Sequence, residues 1–588
     1  MRIDEGRRAM RRARNTFVLL AAAGCAAAAF AQNITPGQLE QIQRQQDRIL
    51  QQEQLRQQDQ LRQQDPARRP PGGIGTDLQP LGPDALPAGA CSQVNAIRLE
   101  GAERLTPEEQ AKLTAPYVGR CVGLQEIGDL MRAITNHYIA LGLVTTRVYI
   151  PQQDLGTGTL RLLVLEGKVG EIRLQDPLSR VNLATAFPDV RGRVLNIRDI
   201  EQGLDQINRL RSNNATMELQ PSAQPGVTDI LIANQQGLWV SGNLTFDNYG
   251  TPSTGDVRAT GSFTADNVLG LNDAWFASFS RNTEARPGEE LSESSLVSLN
   301  LPYGYWNLQA SSAKSRYASV VSSLTQQFHS TGETDTYNVG VQRVLMRDQT
   351  SKLTLNTGLT HKESRNYIEG SLLTTSSPKL TDLQLGLTSV FFAGGGFWTV
   401  DGGVSRGLDW WGAEPLPGAG TGTVPTPEWL RFQGSISFSR PFRVGSVDGN
   451  WSTSVQGQTT NDRLYGSEQI SIGGLYTVRG FDGTSIAGDR GAYWRNEFTT
   501  LLPAFEDPQL ARVFGRLQPY FGIDIGHIYG REAQPGGTLA GAVIGLRGVA
   551  GQFGFDVGYG APLKVPPWVD QRGNVENHAL YARVSVSF

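Results

Sequence analysis

From about residue 236 to Phe588 the chain alternates apolar and polar positions in short segments, separated by turns rich in Gly, Ser, Thr and Asn. Leu353, Leu355 and Leu359 alternate with Lys352, Thr354 and Asn356; Phe432, Ile436 and Phe438 with Arg431, Gln433, Ser435 and Ser437; Phe553, Phe555, Val557 and Tyr559 with Gly554, Asp556 and Gly558. A period of two is that of a β-strand whose two faces meet different media. A soluble sandwich alternates too, but over a shorter length. A closed barrel in an outer membrane requires the pattern throughout, because lipid meets one face and an aqueous lumen the other. At roughly 22 residues per strand and connection, about 16 strands fit into 236–588. The last segment, Leu580, Ala582, Val584, Val586 and Phe588 on one face, ends in the aromatic residue that exported barrels commonly carry.

The N-terminus supplies the address. Six arginines between Arg2 and Arg14 precede an apolar run, Phe17–Ala29, and the small-x-small sequence Ala29-Phe30-Ala31. This reads as a secretory signal over residues 1–31, too short to span a membrane as a helix. Its removal takes away six Arg and two acids and moves the net charge from -3 to -7. No basic excess is left for a nucleic-acid partner. A mean hydropathy of -0.30 excludes a multi-span helical protein. Cys25 leaves with the signal, so Cys91 and Cys121 remain. In an oxidising compartment one disulfide is the expectation, two buried thiols being the alternative. The loop it closes would contribute roughly 3–4 kcal/mol.

Between signal and barrel lie four further segments. Residues 32–65, dominated over 38–65 by Gln with Glu, Asp and Arg, read as a helix polar all round, which either bridges solvent or sits in a polar cavity, a short coiled coil being the alternative. Residues 66–90 carry Pro66, Pro70, Pro71, Pro80, Pro83 and Pro87 and read as a linker. Two β-α-α-β-β units follow, over 91–167 and 168–235. In the first, Thr106, Pro107 and Glu109 form a capping-box start, and Leu124, Ile127, Leu130, Met131, Ile134 and Tyr138 recur at helical spacing. In the second, Leu178–Phe187 and Ile197–Arg211 read as helices. Sheet edges in such units can accept an extended partner as an added strand.

Chemistry-bearing motifs are sparse. His137, His329, His361, His527 and His578 lack ligand spacing, and neither a P-loop nor a nucleophile elbow is present. No catalytic, cofactor or metal site is expected, and the chain does not read as an enzyme. The informative stretch is Ile472-Gly473-Gly474-Leu475-Tyr476-Thr477-Val478-Arg479-Gly480-Phe481, followed by Gly488-Asp489 and Arg495-Asn496-Glu497. In Leu517–Gly526, Phe521, Ile523 and Ile525 face one side, while Tyr520, Gly522, Asp524 and Gly526 face the other. Asp524 would therefore project into the lumen and want a fixed cation, for which arginine is the suitable partner.

These motifs resemble the two-partner secretion transporters of Gram-negative outer membranes, of the hemolysin-activator and filamentous-hemagglutinin transporter type, in the superfamily of barrel-assembly proteins. Cys91, Cys121, Tyr138, Gly142, Tyr149-Ile150-Pro151, Gly158-Thr159-Leu160 and Glu166-Gly167 are similar to the first POTRA domain of that family, and Gly203–Leu210 to the second. Thr477 stands where the family often has Ser. The resemblance implies a mainly β protein: a 16-stranded barrel, two periplasmic POTRA domains and a plug helix. It implies that Val478, Arg479, Gly480 and Phe481 fold back into the lumen, with Arg479 paired to Asp524. The implied function is secretion of a large partner exoprotein through its N-terminal secretion domain, without ATP. The implied partners are that exoprotein, outer-membrane lipid, periplasmic chaperones and the barrel-assembly machinery, to which Phe588 would be the signal. An assembly factor that inserts other barrels is the main alternative, and a passive porin or an outer-membrane enzyme are lesser ones.

Overall fold

The computed structural model describes residues 36–72 and 91–588, apart from 287, 323–326, 414, 416–423, 532–533 and 571–574. The signal over 1–31, with Cys25, and linker residues 73–90 lie outside the described residues.

Sixteen antiparallel spans close into one barrel, from Val240–Asp247 to Ala579–Ser587. A two-residue strand, Ser371–Leu372, folds back on the end of Ser351–Ile368 and does not span. The first and last spans pair, with Arg583 opposite Asp247 and Ser587 opposite Asn243. Phe588 continues the seam: its N–H donates to the Gly242 carbonyl at 2.9 Å, and its carbonyl accepts from the Gly242 N–H at 2.8 Å. Closure leaves no free edge, which backbone in lipid requires.

The alternation read from the sequence becomes the two faces of this wall. Along Arg516–Ile528, Tyr520, Gly522, Asp524, Gly526 and Ile528 are buried, and Phe521, Ile523, Ile525 and His527 are exposed. Exposed Phe246, Phe263, Leu383, Leu385, Ile436 and Val557 extend the apolar outer face around the barrel. The lumen face is built from Ser, Thr, Asn, Gln and paired charges. The Gly394-Gly395 pair forms a two-residue hairpin, both residues at positive φ between Ala393 and Gly396, which only a turn of the primed class accommodates.

The Gln-rich segment is a helix over Pro36–Gln64 that runs through the lumen. Its polar circumference matches the wall: Gln46 donates to Ser330 Oγ at 2.9 Å, Arg56 to Ser280 Oγ at 2.7 Å and Arg62 to Gln456 Oε1 at 2.9 Å. The sparse apolar residues make two small contacts, Ile42 with Val321, Phe328 and Ile368, and Ile49 and Leu50 with Tyr317. Residues 66–72 are not free linker. A short turn, Pro66–Arg68, follows the helix, Arg68 pairs with Asp401 at 2.8 Å, and Lys352 Nζ donates to the Pro66 carbonyl at 3.0 Å.

Each POTRA unit is a three-stranded sheet under two helices. In the first, Ala96–Glu100 and Thr159–Leu165 run parallel and Arg147–Tyr149 pairs antiparallel at the edge. Helices Pro107–Thr114 and Leu124–Ala140 cover it, the former with both halves of the Thr106/Glu109 capping box formed. Tyr138 is fully buried beneath them and donates to Glu166 Oε1 at 2.8 Å. Burial, then the Glu166 carboxylate, push its phenol far above the usual range. Cys91 and Cys121 are bridged, Cα to Cα 5.2 Å, and tie Ser92–Val94 to Arg120–Val122. In the second unit Lys168–Leu174, Val227–Asn234 and Ala215–Pro221 form the sheet, with helix Ile197–Asn208 packed on it. The helix read over Leu178–Phe187 shortens to Leu183–Ala186: Asn182 caps it, and Pro188 ends it.

Candidate functional site

The eleventh and twelfth spans, Val447–Thr460 and Gly491–Leu501, are joined by the long connection 461–490 at the end of the barrel opposite the POTRA units. This connection folds back into the lumen. A two-stranded ribbon, Ile470–Ile472 with Ile486–Gly488, forms its stem, and Ile472, Val478, Phe481 and Ile486 build a small apolar core with Ile528 and Leu539 of the wall.

Arg479 leaves that core toward the wall. Its Nε donates to Asp524 Oδ2 at 2.7 Å, its Nη2 to Asp524 Oδ1 at 3.0 Å and to the Asn496 carbonyl at 3.1 Å, and its backbone N–H to Asp524 Oδ2 at 3.1 Å. Nη1 reaches Glu497. Arg479 is 3% exposed and Asp524 1%. This is the fork geometry by which guanidinium recognises a carboxylate, completed so that neither buried charge lacks partners. Asn496 N–H adds a fourth donor to Asp524 at 3.2 Å.

The wall is paved with glycine where the motif lies. A Cβ on Gly541 would sit 2.0 Å from the Arg479 carbonyl, one on Gly522 2.4 Å from Arg479 Nη2, and one on Gly526 3.0 Å from Val478. Gly480 has φ +97° and lies against the Ala561 backbone, so both conformation and space require glycine there. Its N–H donates to Tyr581 Oη at 3.0 Å, and that hydroxyl donates to the Phe481 carbonyl at 3.2 Å.

Residues without an assigned role in the sequence reading complete the site. Arg547, two spans on from Glu497, binds it and also Asp556 at 3.0 Å, and its guanidinium lies 3.9 Å over the Tyr520 ring of the span between. At a second point the same connection is pinned to the wall: buried Glu468 pairs with Lys362 of the seventh span at 2.6 Å and Arg431 of the tenth at 2.9 Å. The plug helix leans on this turn, Gln51 donating to the Gly466 carbonyl at 2.7 Å. Beside them a polar cavity of about 480 Å³ remains between helix and wall, lined by Gln54, Arg62, Asp382 and Gln458 among others. Glu497 had a signal, the R-N-E triplet; Glu468 and Arg547 had none beyond their charge. Among the described residues no cluster of three or more His, Cys, Asp or Glu could hold a metal ion.

A lumen plugged by a polar helix, a reentrant loop pinned at two points and two sheet units at one mouth match known proteins. The family model for the haemolysin secretion/activation protein ShlB/FhaC/HecB matches residues 226–548, that for the ShlB-type POTRA domain 92–167, and a further POTRA model 168–221. The outer membrane transporter CdiB of Dickeya dadantii is 33% identical over 567 residues, 96% of this chain and 97% of that one. The hemolysin transporter protein ShlB of Serratia marcescens is 30% identical over 78% of this chain and 79% of its own. The structure of CdiB from Escherichia coli superposes with a TM-score of 0.83 at 34% identity, covering 92% of this chain and 98% of that one. The chain therefore belongs to the haemolysin secretion/activation family ShlB/FhaC/HecB, and is an outer-membrane transporter of two-partner secretion whose POTRA domains lie in the periplasm.

Proposed function

We propose that this transporter secretes one large exoprotein of adhesin or haemolysin type, captured through its N-terminal secretion domain and threaded outward without ATP. The observation that carries the reading is the lumen itself. It is wide enough to hold a whole helix, and that helix is attached by hydrogen bonds and two small apolar contacts rather than by a core. Such contacts exchange readily for water or for a passing polar chain. Capture falls to the POTRA sheets, where edge strand Arg147–Tyr149 leaves Tyr149 and the following Ile150 exposed. Folding of the cargo outside would prevent its return. The Val478–Phe481 motif would hold the reentrant connection in its working position through the Arg479–Asp524 pair. Before function, periplasmic chaperones would deliver the chain to the barrel-assembly machinery, with Phe588, 70% exposed on the outer wall, as the recognised end.

A photo-crosslinking residue placed at Tyr149, and another at Gln456 in the lumen, tests this in cells. The expected result is one large exported protein crosslinked at both positions, at Tyr149 through its N-terminal region. Many barrel precursors attached through their C-terminal strands would instead identify an assembly factor.

A further inference from the structure

The outer wall of this barrel is not uniform. On the third to eighth spans an unbroken chain of ion pairs runs around the outside. Arg281 of Ala274–Asn282 pairs with Glu293 of Leu291–Tyr303 at 3.5 Å, and Glu293 with Arg316 of Trp306–Ser322 at 3.7 Å. Arg316 reaches Glu333 of Gln327–Arg347 at 3.8 Å, and Glu333 reaches Arg365 of Ser351–Ile368 at 2.6 Å. Arg365 pairs with Glu363 at 3.0 Å, and Glu363 with Lys379 at the start of Lys379–Ala393 at 3.3 Å. Lys314 adds a branch to Glu333 and Asp335. All these residues share the parity of exposed Phe279, Val297, Leu308, Tyr337, Val339 and Leu383, so they lie on the lipid side.

Their height places them at a membrane boundary. On the sixth span the outward residues run Glu333, Asp335, Tyr337, Val339, Val341, Arg343, with Arg343 stacked on Trp306 at 4.7 Å at the periplasmic rim. Eight residues separate Asp335 from Arg343, about 20 Å along the axis of a barrel with strands tilted by about 40°, against an apolar band about 25 Å tall. The chain of charges thus straddles the outer edge of the band.

Its two signs are not equally displayed. The five cations keep 37–51% of their side-chain surface exposed, while the four carboxylates keep only 17–27%. The acids lie beneath and fix the cations; the cations face outward. Exposed pairs of this kind do little for stability. Across the barrel the outward residues toward the same mouth include Ile525, His527, Tyr529, Tyr559 and Leu580, with no Arg or Lys among them.

We propose that this arc is a binding surface for the phosphorylated glycolipid of the outer leaflet, lipid A. Arg281, Arg316 and Arg365 stand on alternate spans, on the order of 10 Å apart. Arginine forks bind phosphate bidentately, and a bisphosphorylated disaccharide offers a phosphate at each end. A lipid so held orients one arc of the transporter in the membrane and seals the wall where the apolar band is interrupted by charge.

Bisphosphorylated lipid A, its phosphate-free form and phosphatidylglycerol are each titrated into the detergent-solubilised full chain, with binding read by native mass spectrometry. The bisphosphate should bind about tenfold or more tightly than either of the others, and the Arg281→Gln/Arg316→Gln/Arg365→Gln variant should lose that margin. Heat-modifiable migration reports whether the variant has folded, and the three-lipid comparison on the unaltered chain needs no variant. Equal binding of the phosphate-free form, equal binding of phosphatidylglycerol, or a folded variant that keeps the full margin would each overturn the assignment. None of these results bears on secretion.

Discussion

Arg479 is the residue whose surroundings are most fully specified. Its guanidinium meets Asp524 twice, Glu497 once and the Asn496 carbonyl once, and glycines at 522, 526 and 541 leave room for its segment. Removing one partner of a buried pair costs about 3–5 kcal/mol, because the other charge stays buried. That cost falls on the docked connection. Residue 479 contributes no rung to the barrel ladder, which closes without it. Arg479→Ala should therefore lower secretion of the partner at least about tenfold while the barrel still inserts. Arg479→Lys should rescue little, since one ammonium cannot reproduce the fork. Partner protein in the medium, set beside heat-modifiable migration of the transporter, checks both; normal export by the alanine variant would refute the role.

At the scale of an element, the plug helix has an unusual position: helical propensity is satisfied, but almost every tertiary contact is polar. The hydrophobic effect, the largest source of retention in most packed helices, is nearly absent. The helix is held by contacts such as Gln46 to Ser330 at its outer half and Arg62 to Gln456 at its inner half. Bridging cysteines placed at Gln46 and Ser330 with a short bifunctional thiol reagent should stop secretion, and a cleavable reagent should restore it on reduction. Continued export by the bridged protein would show that the helix need not leave. Glu468 belongs to this scale as well, since its turn carries both the wall ion pairs and the Gln51 contact.

For the whole molecule, the informative place is the junction of barrel, second POTRA unit and plug tail. Arg347, the last residue of the sixth span, has a side chain only 1% exposed. It pairs with Asp205 and lies 3.6 Å from Glu201, both on helix Ile197–Asn208, and it donates to the Gly72 carbonyl at 3.1 Å. Arg69 in turn donates to the Arg209 carbonyl at 2.8 Å. A tilt of the second POTRA unit would thus strain the contacts of the segment that anchors the plug. Arg347→Ala should broaden the distances between spin labels on the second POTRA unit and the barrel rim. It should also raise the open-channel fraction in planar bilayers. Unchanged distances would remove this junction from the coupling.

Much of this was legible in one dimension. Alternation over 236–588 dictates strands with two unlike faces, and such a length of exported alternating chain has few stable solutions besides a barrel. The polar circumference of 36–64 allowed a solvent-bridging helix or one in a polar cavity, and the structure decides for the cavity; the capping box at Thr106 marks a helix start that the structure keeps. The side of the wall that Asp524 faces followed from parity alone. What was not legible depends on closure. The Arg479–Asp524 pair was expected only through the family resemblance, and Glu497, Gly541 and Tyr581 join it from three further segments only when the sheet curls and the connection turns inward. Glu468 finds Lys362 and Arg431 across 106 and 37 residues of chain. Parity assigns a residue to a face but not to a height or a neighbour. Those depend on register and shear, which the hydrogen bonding of the closed barrel settles all at once.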